Sequence, residues 1–515
     1  MFRTALKRGL QLTGTVAAGS VVAGIVVYER ERARAPENSE LIRAPFRRSA
    51  DTLPRLSTDN LMGGFDAYYL GQTWFYAQPL DADAIKATLA AAVDHMPALA
   101  GRRTERGIEL CNSGARFSVC DAHEGSARDW IGSDSHLEPP RGDFTDCPST
   151  CSDRAQPLFT VRVTNFKDGT SALGIAAPHS LMDGKSLHTV VSLLAAAHAR
   201  AGRFDAEKDP PPDFDAARVW EKHAGVLDAR AAKEPTLRIP FWLLEKTTPL
   251  WALAMPRMDW LLPRAKVHLS SKELAELKAS VNAALDASTA QQPPQQQQKP
   301  PERPSCTTNE ALSAAFLCAL GKAPDSHSPF EAGARGTVRM VVNAQGKGLF
   351  RDVDDRVCGN FSWMVDERTP KPPREMSLAE AASFFQKLGA KWRDEASSAG
   401  CVEEFALFFR VQDVAGYLWE KTDGAANTLF LNNFSSSSPS AHLRFGAGDA
   451  IGYQPWHSHQ HLQIVAAPKL AGGGVDVYLP RGYSPLLGSA EFKAELLRME
   501  AGTQDRRANK SVAGL

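Results

Sequence analysis

The residues best suited to chemistry lie in a short segment, PHSLMDG at residues 178–184. Its histidine, His179, follows a short apolar strand pattern at residues 173–177 and precedes a helical pattern at residues 185–199. A histidine on a loop at the end of a strand can reach a cleft, and a neutral imidazole is the natural base for taking a proton from a hydroxyl near neutral pH. We therefore predict that His179 is a general base.

The aspartate four residues later favours the same interpretation. Asp183 can lock the tautomer of the ring or stabilise the local turn, directly or through an arginine, and Gly184 permits a backbone conformation closed to other residues. Of the 13 histidines in the chain, His179 alone has an aspartate at this spacing. The alternative is a core or loop histidine beside an unrelated turn aspartate.

Strand and helix patterns alternate along both halves of the chain. Apolar side chains recur at helical spacing over residues 81–96 and 270–285, and residues 307–320 form a third predicted helix, which Gly321 would end. Residues 157–166 alternate between apolar and polar side chains, as in a strand. This order predicts mixed α/β layers in each half, and hence an α/β protein of the α+β type.

The length and composition indicate a two-domain globular protein. The 515 residues are too many for one ordinary core. Lysine plus arginine equals aspartate plus glutamate, at 59 each, so no excess of positive charge points to nucleic acid as a partner. The eight cysteines are sparse and lack the spacing of a disulfide scaffold, which favours free thiols in a reducing compartment.

We predict no metal site. Cys147 and Cys151 form the one close cysteine pair, and no second pair at matching spacing completes a zinc site. His457, His459 and His461 alternate at strand period, but no nearby carboxylate or cysteine joins them. A solvated or edge strand is the simpler interpretation of the three histidines.

The N-terminal segment is typical of an anchor or a targeting signal. Residues 9–28 carry no charge, and twenty residues as a helix would span about 30 Å, one hydrocarbon core. A single-pass membrane anchor is the first interpretation, and a transit peptide for a plastid or mitochondrion is the alternative. A secretory signal fits less well because a small-x-small cleavage site directly after the segment is missing. We assign residues 1–45 to this segment.

Several further motifs occur in the order found in one enzyme family. The chain resembles the plant and fungal acyl-CoA-dependent acyltransferases called BAHD enzymes, which share the chloramphenicol-acetyltransferase-like fold with nonribosomal peptide condensation domains. The resemblance covers about residues 55–200 and 266–480. The matching segments are PALAGR at residues 97–102, PLFTV at 157–161, PHSLMDG at 178–184, TNEALSA at 308–314, VVN at 341–343, GN at 359–360, RFGAG at 444–448 and GGGV at 472–475.

The resemblance implies two chloramphenicol-acetyltransferase-like domains, each a mixed β-sheet with helices, with an active-site channel between them. His179 would deprotonate a hydroxyl or amine acceptor, which attacks the thioester of acyl-CoA directly, without an acyl-enzyme. Asp183 would be structural in such an enzyme. Acyl-CoA would be a co-substrate, no bound cofactor or metal is expected, and the protein would be a monomer. The other motif residues expected to be structural are Gly184, Asn360, Gly446 and Gly448.

Four positions depart from patterns of this family or its wax-ester-forming relatives. Arg444 stands where the motif D-F-G-W-G has aspartate, and Ala447 stands where it has tryptophan. The arginine that pairs with that aspartate in the family matches a position near Gln345, so both members of the pair are changed together and no unpaired buried charge need remain. Pro178 precedes His179, whereas wax-ester-forming acyltransferases usually have two adjacent histidines, which argues against that assignment.

Substrate contacts are predicted at Asn433, Ser435 and Thr308. The first two match the place where the family orients substrate or intermediate, with a polar loop as the alternative. Thr308 opens a helix whose N-terminus could meet a CoA phosphate, with simple capping as the alternative. Residues 240–263 are rich in tryptophan and form either a buried crossover or a surface for an acyl chain or lipid. With the membrane segment, they suggest a small, lipophilic alcohol as acceptor.

We divide the remaining chain into two acyltransferase domains, at residues 46–240 and 266–495, joined by an apolar crossover at 241–265. The second domain carries a Gln/Pro-rich loop at 287–304, and residues 496–515 form a polar tail. One rival function is a catalytically silent relative that acts as a binding or scaffold protein. The other is a wax-ester-forming or condensation-type acyltransferase, and the condensation reading is weakened because no carrier domain follows in this chain.

Overall fold

The computed structural model describes these parts of the chain: residues 38–45, 51–54, 69–104, 107–131, 144–146, 156–179, 181–216, 218–219, 222, 265–290, 305–323, 328–394, 427–435, 443–455, 462–467, 473–479, 493 and 496. In these parts no helix is long and apolar enough to cross a bilayer. Residues 9–28, 240–263 and 291–304 lie outside them, so the predictions made for those segments stay predictions.

The described strands are β1 (Ser39–Ile42), β2 (Thr52–Pro54), β3 (Tyr69–Tyr76), β4 (Arg102–Arg103), β5 (Gly107–Glu109), β6 (Ala115–His123), β7 (Thr160–Phe166), β8 (Ser171–Pro178), β9 (Ala265–Leu269), β10 (Thr337–Asn343), β11 (Ser362–Arg368), β12 (Thr428–Asn433), β13 (Gly452–Gln454), β14 (Leu462–Ala466) and β15 (Val475–Leu479). The described α-helices are α1 (Ala82–His95), α2 (Ala127–Ile131), α3 (Gly184–His198), α4 (Ser271–Ala290), α5 (Thr308–Lys322) and α6 (Leu378–Arg393). Short 3-10 helices cover Pro97–Ala100, Gly348–Phe350 and Pro373–Glu375.

The first sheet has the strand order β1-β6-β7-β8-β3-β13, with β6 parallel to β7 and β8 antiparallel to both of its neighbours. Its core joins strand residues such as Trp74 and Ile175 to residues of α1 and α3 such as Leu89 and Leu187. Strand β8 is buried at every residue, because side chains and backbone cover both faces. Its sequence therefore lacks the polar alternation of a half-exposed strand.

Helix α1 shows why the periodic pattern predicted this layer correctly. Asp81 caps it by accepting a hydrogen bond from the amide of Ala84 at 3.0 Å. The predicted apolar face is buried, because it packs into the core of the first sheet. That face consists of Ile85, Leu89, Ala92 and Val93.

The second sheet has the order β11-β10-β12-β14-β15-β9, with β10, β12 and β14 parallel and the outer pairings antiparallel. Helices α4, α5 and α6 pack with it around a second core that includes Phe316 and Phe385. A third, small sheet has the order β2-β5-β4. Two sheets with their own helices and cores confirm the predicted fold class.

One strand crosses between the halves of the sequence. Strand β13 follows most of the second half, yet it pairs antiparallel with β3 at the edge of the first sheet. The second half of the chain therefore contributes the edge strand of the first sheet. Gly452 is required in β13, because a Cβ there would lie 2.3 Å from Cγ1 of Ile131 in α2.

Three predicted boundaries differ from the structure. Strand β1 lies inside residues 1–45 and pairs with β6, so the fold begins earlier than predicted. Helix α4 continues to Ala290, because residues 287–290 lack the prolines that begin at Pro293. Gly321 does not end α5, which runs to Lys322; a Cβ at Gly321 would lie 2.7 Å from the backbone carbon of Pro373, so the glycine serves a close approach.

Candidate active site

His179 directly follows β8, and β8 fixes its backbone at the edge where the two halves of the sequence meet. The residue is half-buried, so a small molecule can reach part of it. Burial lowers the pKa of His179, and the opposing effects of its own backbone carbonyl, the Asp183 charge and the Asn360 hydrogen bond do not cancel this. The imidazole is therefore held in its neutral form at neutral pH.

Asn360 holds both the ring and the backbone of His179. Its Oδ1 lies 2.9 Å from Nδ1 of His179, and its Nδ2 donates to the backbone carbonyl of His179 at 2.8 Å. Asn360 belongs to the loop between β10 and β11, and it is 1% exposed. The second half of the chain thus supplies the side chain that orients the ring.

Asp183 caps helix α3 and ties its start to the second half of the chain. The fully buried carboxylate accepts from the amide of Ser186 at 2.9 Å through Oδ1. Its Oδ2 accepts from Asn343 Nδ2 at 3.0 Å, from the amide of Phe361 at 3.1 Å and from Ser362 Oγ at 3.0 Å. Within the described residues, no hydrogen bond joins this carboxylate to the imidazole.

The loop that carries Asn360 is fastened to α3 by further bonds. The backbone carbonyl of Gly359 accepts from the amide of Asp183 and from Oγ of Ser186, both at 3.1 Å. Gly184 begins α3 under the ring of Phe434, whose Cε1 would lie 2.8 Å from a Cβ at this position. Gly184 is therefore required for close packing at the start of the helix.

The two altered motif positions are both satisfied locally. Arg444 is exposed and pairs with Asp449, with 2.6 Å between Nε and Oδ1. Gln345 is buried, and its Nε2 donates to the backbone carbonyls of Asp354 at 2.6 Å and Val357 at 3.0 Å. Neither position therefore leaves an unpaired buried charge. Gln345 also fixes the loop that carries Asn360.

Glycine is needed at both predicted positions of the loop at residues 443–450. Gly446 has φ of 80° and Gly448 has φ of 81°, a region that other residues avoid. The buried Ala447 between them packs in the core of the first sheet. Their backbone angles agree with the expected structural role of the two glycines, which stays a prediction.

Comparisons with known proteins agree with the sequence motifs. A family model described as the Transferase family matches residues 49–285. Agmatine hydroxycinnamoyltransferase 1 of Oryza sativa subsp. japonica is 22% identical over 482 residues, which cover 88% of this chain and 95% of that protein. Both matches agree with the resemblance of the chain to BAHD-type acyltransferases.

Solved structures of low identity share the fold of this chain. Vinorine synthase is 13% identical with a TM-score of 0.58, and the match covers 89% of this chain and 97% of that one. F. graminearum TRI101 complexed with ethyl coenzyme A is 16% identical with a TM-score of 0.54, and the match covers 86% and 98%. Both support the two-sheet architecture described above.

Two of the predicted substrate residues, Asn433 and Ser435, lie at the end of β12, where Asn433 contacts the first turn of α5. Asn433 Nδ2 donates to Oδ1 of Asn309 near the start of α5, and the amide of Ser435 donates to Asn433 Oδ1 at 2.7 Å. Thr308 is exposed beside Asn309 at the first turn of α5. In the described part of the chain, no hydrogen bond connects these residues to His179, so their role in the acyltransferase stays a prediction.

Some residues of the site were not predicted from the sequence. Asn343 and Ser362 hold Asp183, and the contact of Asn360 with the ring was not expected. Asn360 is 181 positions from His179, and a single sequence carries no signal of that pairing. The cysteine pair and the three alternating histidines lie outside the described residues, and inside them no cluster of three His, Cys, Asp or Glu side chains is arranged to hold a metal ion.

Proposed function

We propose that this chain transfers an acyl group from acyl-CoA to a hydroxyl or amine, with His179 as the general base. The observation that carries the proposal is a half-buried, neutral imidazole whose Nδ1 is occupied by Asn360. Nitrogen Nε2 then has the lone pair that a base requires. TRI101 complexed with coenzyme A supports a CoA thioester as donor, and the agmatine-acylating relative supports an amine among the acceptors.

In this mechanism His179 takes the proton of the acceptor while its oxygen or nitrogen attacks the thioester carbonyl. The C–O or C–N bond forms and a tetrahedral oxyanion results. As the intermediate collapses, the C–S bond breaks and the imidazolium returns the proton to the departing sulfur of CoA. No acyl group is attached to the protein at any stage, and Asp183 contributes by holding the start of α3.

The direct test is release of free thiol from acyl-CoAs of several chain lengths, with a panel of alcohols and amines. Thiol release must depend on the acceptor and must match the acylated product in amount. A folded protein that binds acyl-CoA but yields no product with any acceptor would instead support the binding-protein alternative, which the altered Arg444 and Ala447 first suggested.

We further propose that residues 9–28 attach the enzyme to a membrane and that its acceptor is a small lipophilic alcohol. The support is the uncharged length of this segment together with the tryptophan-rich residues 240–263. Deleting residues 1–35 should release the protein from the membrane fraction. Membrane association that persists in the deletion, or an unchanged location of both forms in the soluble fraction, would contradict the proposal.

A further inference from the structure

The contacts of Asn360 decide which nitrogen of the His179 ring carries the proton. A backbone carbonyl only accepts hydrogen bonds, so the group of Asn360 that faces the carbonyl of His179 at 2.8 Å must be its NH2. The other end of the amide, Oδ1, then faces Nδ1 at 2.9 Å. Because this oxygen only accepts, Nδ1 must be the protonated nitrogen, and Nε2 is left with its lone pair.

The partner of the ring is also uncharged. A carboxylate in this place would stabilise the imidazolium and favour protonation of the ring. An amide orients the ring in the same way but contributes only a dipole. Asn360 therefore separates two functions that a carboxylate partner combines, namely fixing the tautomer and attracting the second proton.

Asp183 is the carboxylate that acts on His179, and neutral donors from Ser186, Asn343, Phe361 and Ser362 surround it. Two titratable groups lie close by in the described residues: Cys358, which feels the charge of Asp183, and Lys185, two residues along the chain.

Neither of those two groups adds a competing charge at the ring. Burial, with the charge of Asp183, raises the pKa of the Cys358 thiol to about 12, so the thiol is neutral. Lys185 is half-buried and pairs with Asp355 of the loop between β10 and β11. The orientation of the ring therefore depends on Asn360, and its readiness to accept a proton depends on burial, the charge of Asp183 and the hydrogen bond of Asn360.

We propose that Asn360 is a positioning residue that fixes the Nε2 base tautomer of His179 and, by being uncharged, extends the working range of the enzyme toward acidic pH. This inference rests on the proposed function for its catalytic consequence, while the state of the ring can be measured without turnover. It assigns the second half of the chain a defined task in catalysis.

The first test replaces Asn360 by aspartate in the full-length protein. Histidine labelled with 15N reports the tautomer and the titration of His179, whose signals are identified by their loss in His179→Gln. We expect Asn360→Asp to move the titration of His179 upward by about one pH unit or more. The acidic limb of kcat/KM should move upward by the same amount, so activity at low pH falls.

The matched control is Asn282→Asp, in α4. Asn282 also presents an amide oxygen to a fixed partner, the amide of Cys306 at 2.7 Å, and aspartate keeps that acceptor. The control adds one negative charge to the second half without touching the ring, so neither the titration of His179 nor the pH profile should move.

The second variant, Asn360→Ala, guards against misfolding of the charged variant. Removing the acceptor should release the ring, change the 15N signature of its tautomer and lower kcat at least about tenfold, with a smaller effect on KM. An unchanged tautomer in Asn360→Ala, or an unchanged titration in folded Asn360→Asp, would overturn the inference. In a further outcome, the wild-type protein shows the expected His179 tautomer and yet forms no product. That result would support Asn360 as a positioning residue and contradict the proposed function.

Discussion

Asp183 is a fully buried carboxylate that accepts hydrogen bonds from three backbone or side-chain N–H groups and one hydroxyl. Multiple donors of this kind satisfy a buried charge without a cationic partner. Because the donors come from α3, β10 and the start of β11, one residue joins the base-bearing loop to the second half of the chain. We therefore expect Asp183 to act on catalysis by holding the start of α3 in position.

We predict that Asp183→Asn lowers the free energy of unfolding by about 2–4 kcal/mol, because an NH2 group would then face N–H donors. The rate should also fall, since the start of α3 moves relative to the ring. Urea denaturation and kcat/KM measure the two effects. The control is Asp355→Asn, which removes an exposed carboxylate paired with Lys185 and should cost about 1 kcal/mol or less. Equal effects of the two substitutions would contradict the assignment.

The sequence could identify His179 but not its partners. A histidine between a strand pattern and a helix pattern, with aspartate and glycine at fixed spacing, is a local signal. The residues that complete the site, Asn343, Asn360 and Ser362, lie far along the chain and reach it only because β10 and β11 fold beside α3. Periodicity and propensity carry no information about such contacts.

At the scale of elements, two adjacent threonines at the start of α5 have different roles in helix capping. Thr307 forms a reciprocal capping box with Glu310: its Oγ1 accepts from the Glu310 amide at 3.2 Å, and Glu310 Oε2 accepts from the Thr307 amide at 2.7 Å. The cap is therefore Thr307, while the side chain of the adjacent Thr308 lies outside this arrangement. The two threonines form a natural pair of test and control.

We predict that Thr307→Ala lowers the free energy of unfolding by about 1 kcal/mol, the usual cost of losing an N-cap. Thr308→Ala should change it by less than about 0.5 kcal/mol, as expected for an exposed residue. Chemical denaturation of both variants measures this difference. If Thr308 contacts substrate, its variant should raise KM without a loss of stability, and reversed stabilities would contradict the capping assignment.

Helices and strands were predicted correctly where one face is buried, because the apolar residues then recur in the sequence at the period of the helix or strand. Helix α1 was predicted almost to its ends, because Asp81 caps it and its apolar face is regular. The prediction that Gly321 ends α5 is wrong. A glycine that is needed for close approach to Pro373 cannot be distinguished, in the sequence, from a glycine that ends a helix. The pairing of β13 with β3 has no local signal at all.

At the scale of the whole molecule, a buried ion cluster joins the edge of the second sheet to the first half of the chain. Asp476 in β15 pairs with Lys266 Nζ at 3.1 Å and His268 Nδ1 at 2.8 Å, both in β9. Lys266 also donates to the carbonyl of Ile131 in α2 at 3.5 Å. Burial raises the pKa of Asp476, but the hydrogen bond from His268 and the charge of Lys266 outweigh it and hold the pKa below its usual range.

A carboxyl group whose pKa is lower in the folded protein contributes stability above its unfolded pKa, about 4, and loses it as the pH falls through the folded value. We therefore predict that Asp476→Asn lowers the free energy of unfolding by about 3 kcal/mol at pH 7, because Lys266 loses its counter-charge. The difference from wild type should shrink below about pH 4. A difference that is constant between pH 7 and pH 3 would show that the charge of Asp476 does not stabilise the fold.

The central claim is that the imidazole of His179 removes the acceptor proton, and the most direct measurement is the rate of acylated product formation by His179→Ala. The variant should fold, bind acyl-CoA and lose at least about a hundredfold in kcat relative to wild type. We expect no other group to take over as the base, because Asn360 holds the His179 ring in this position. A His179→Ala enzyme that forms product at the wild-type rate would contradict the account.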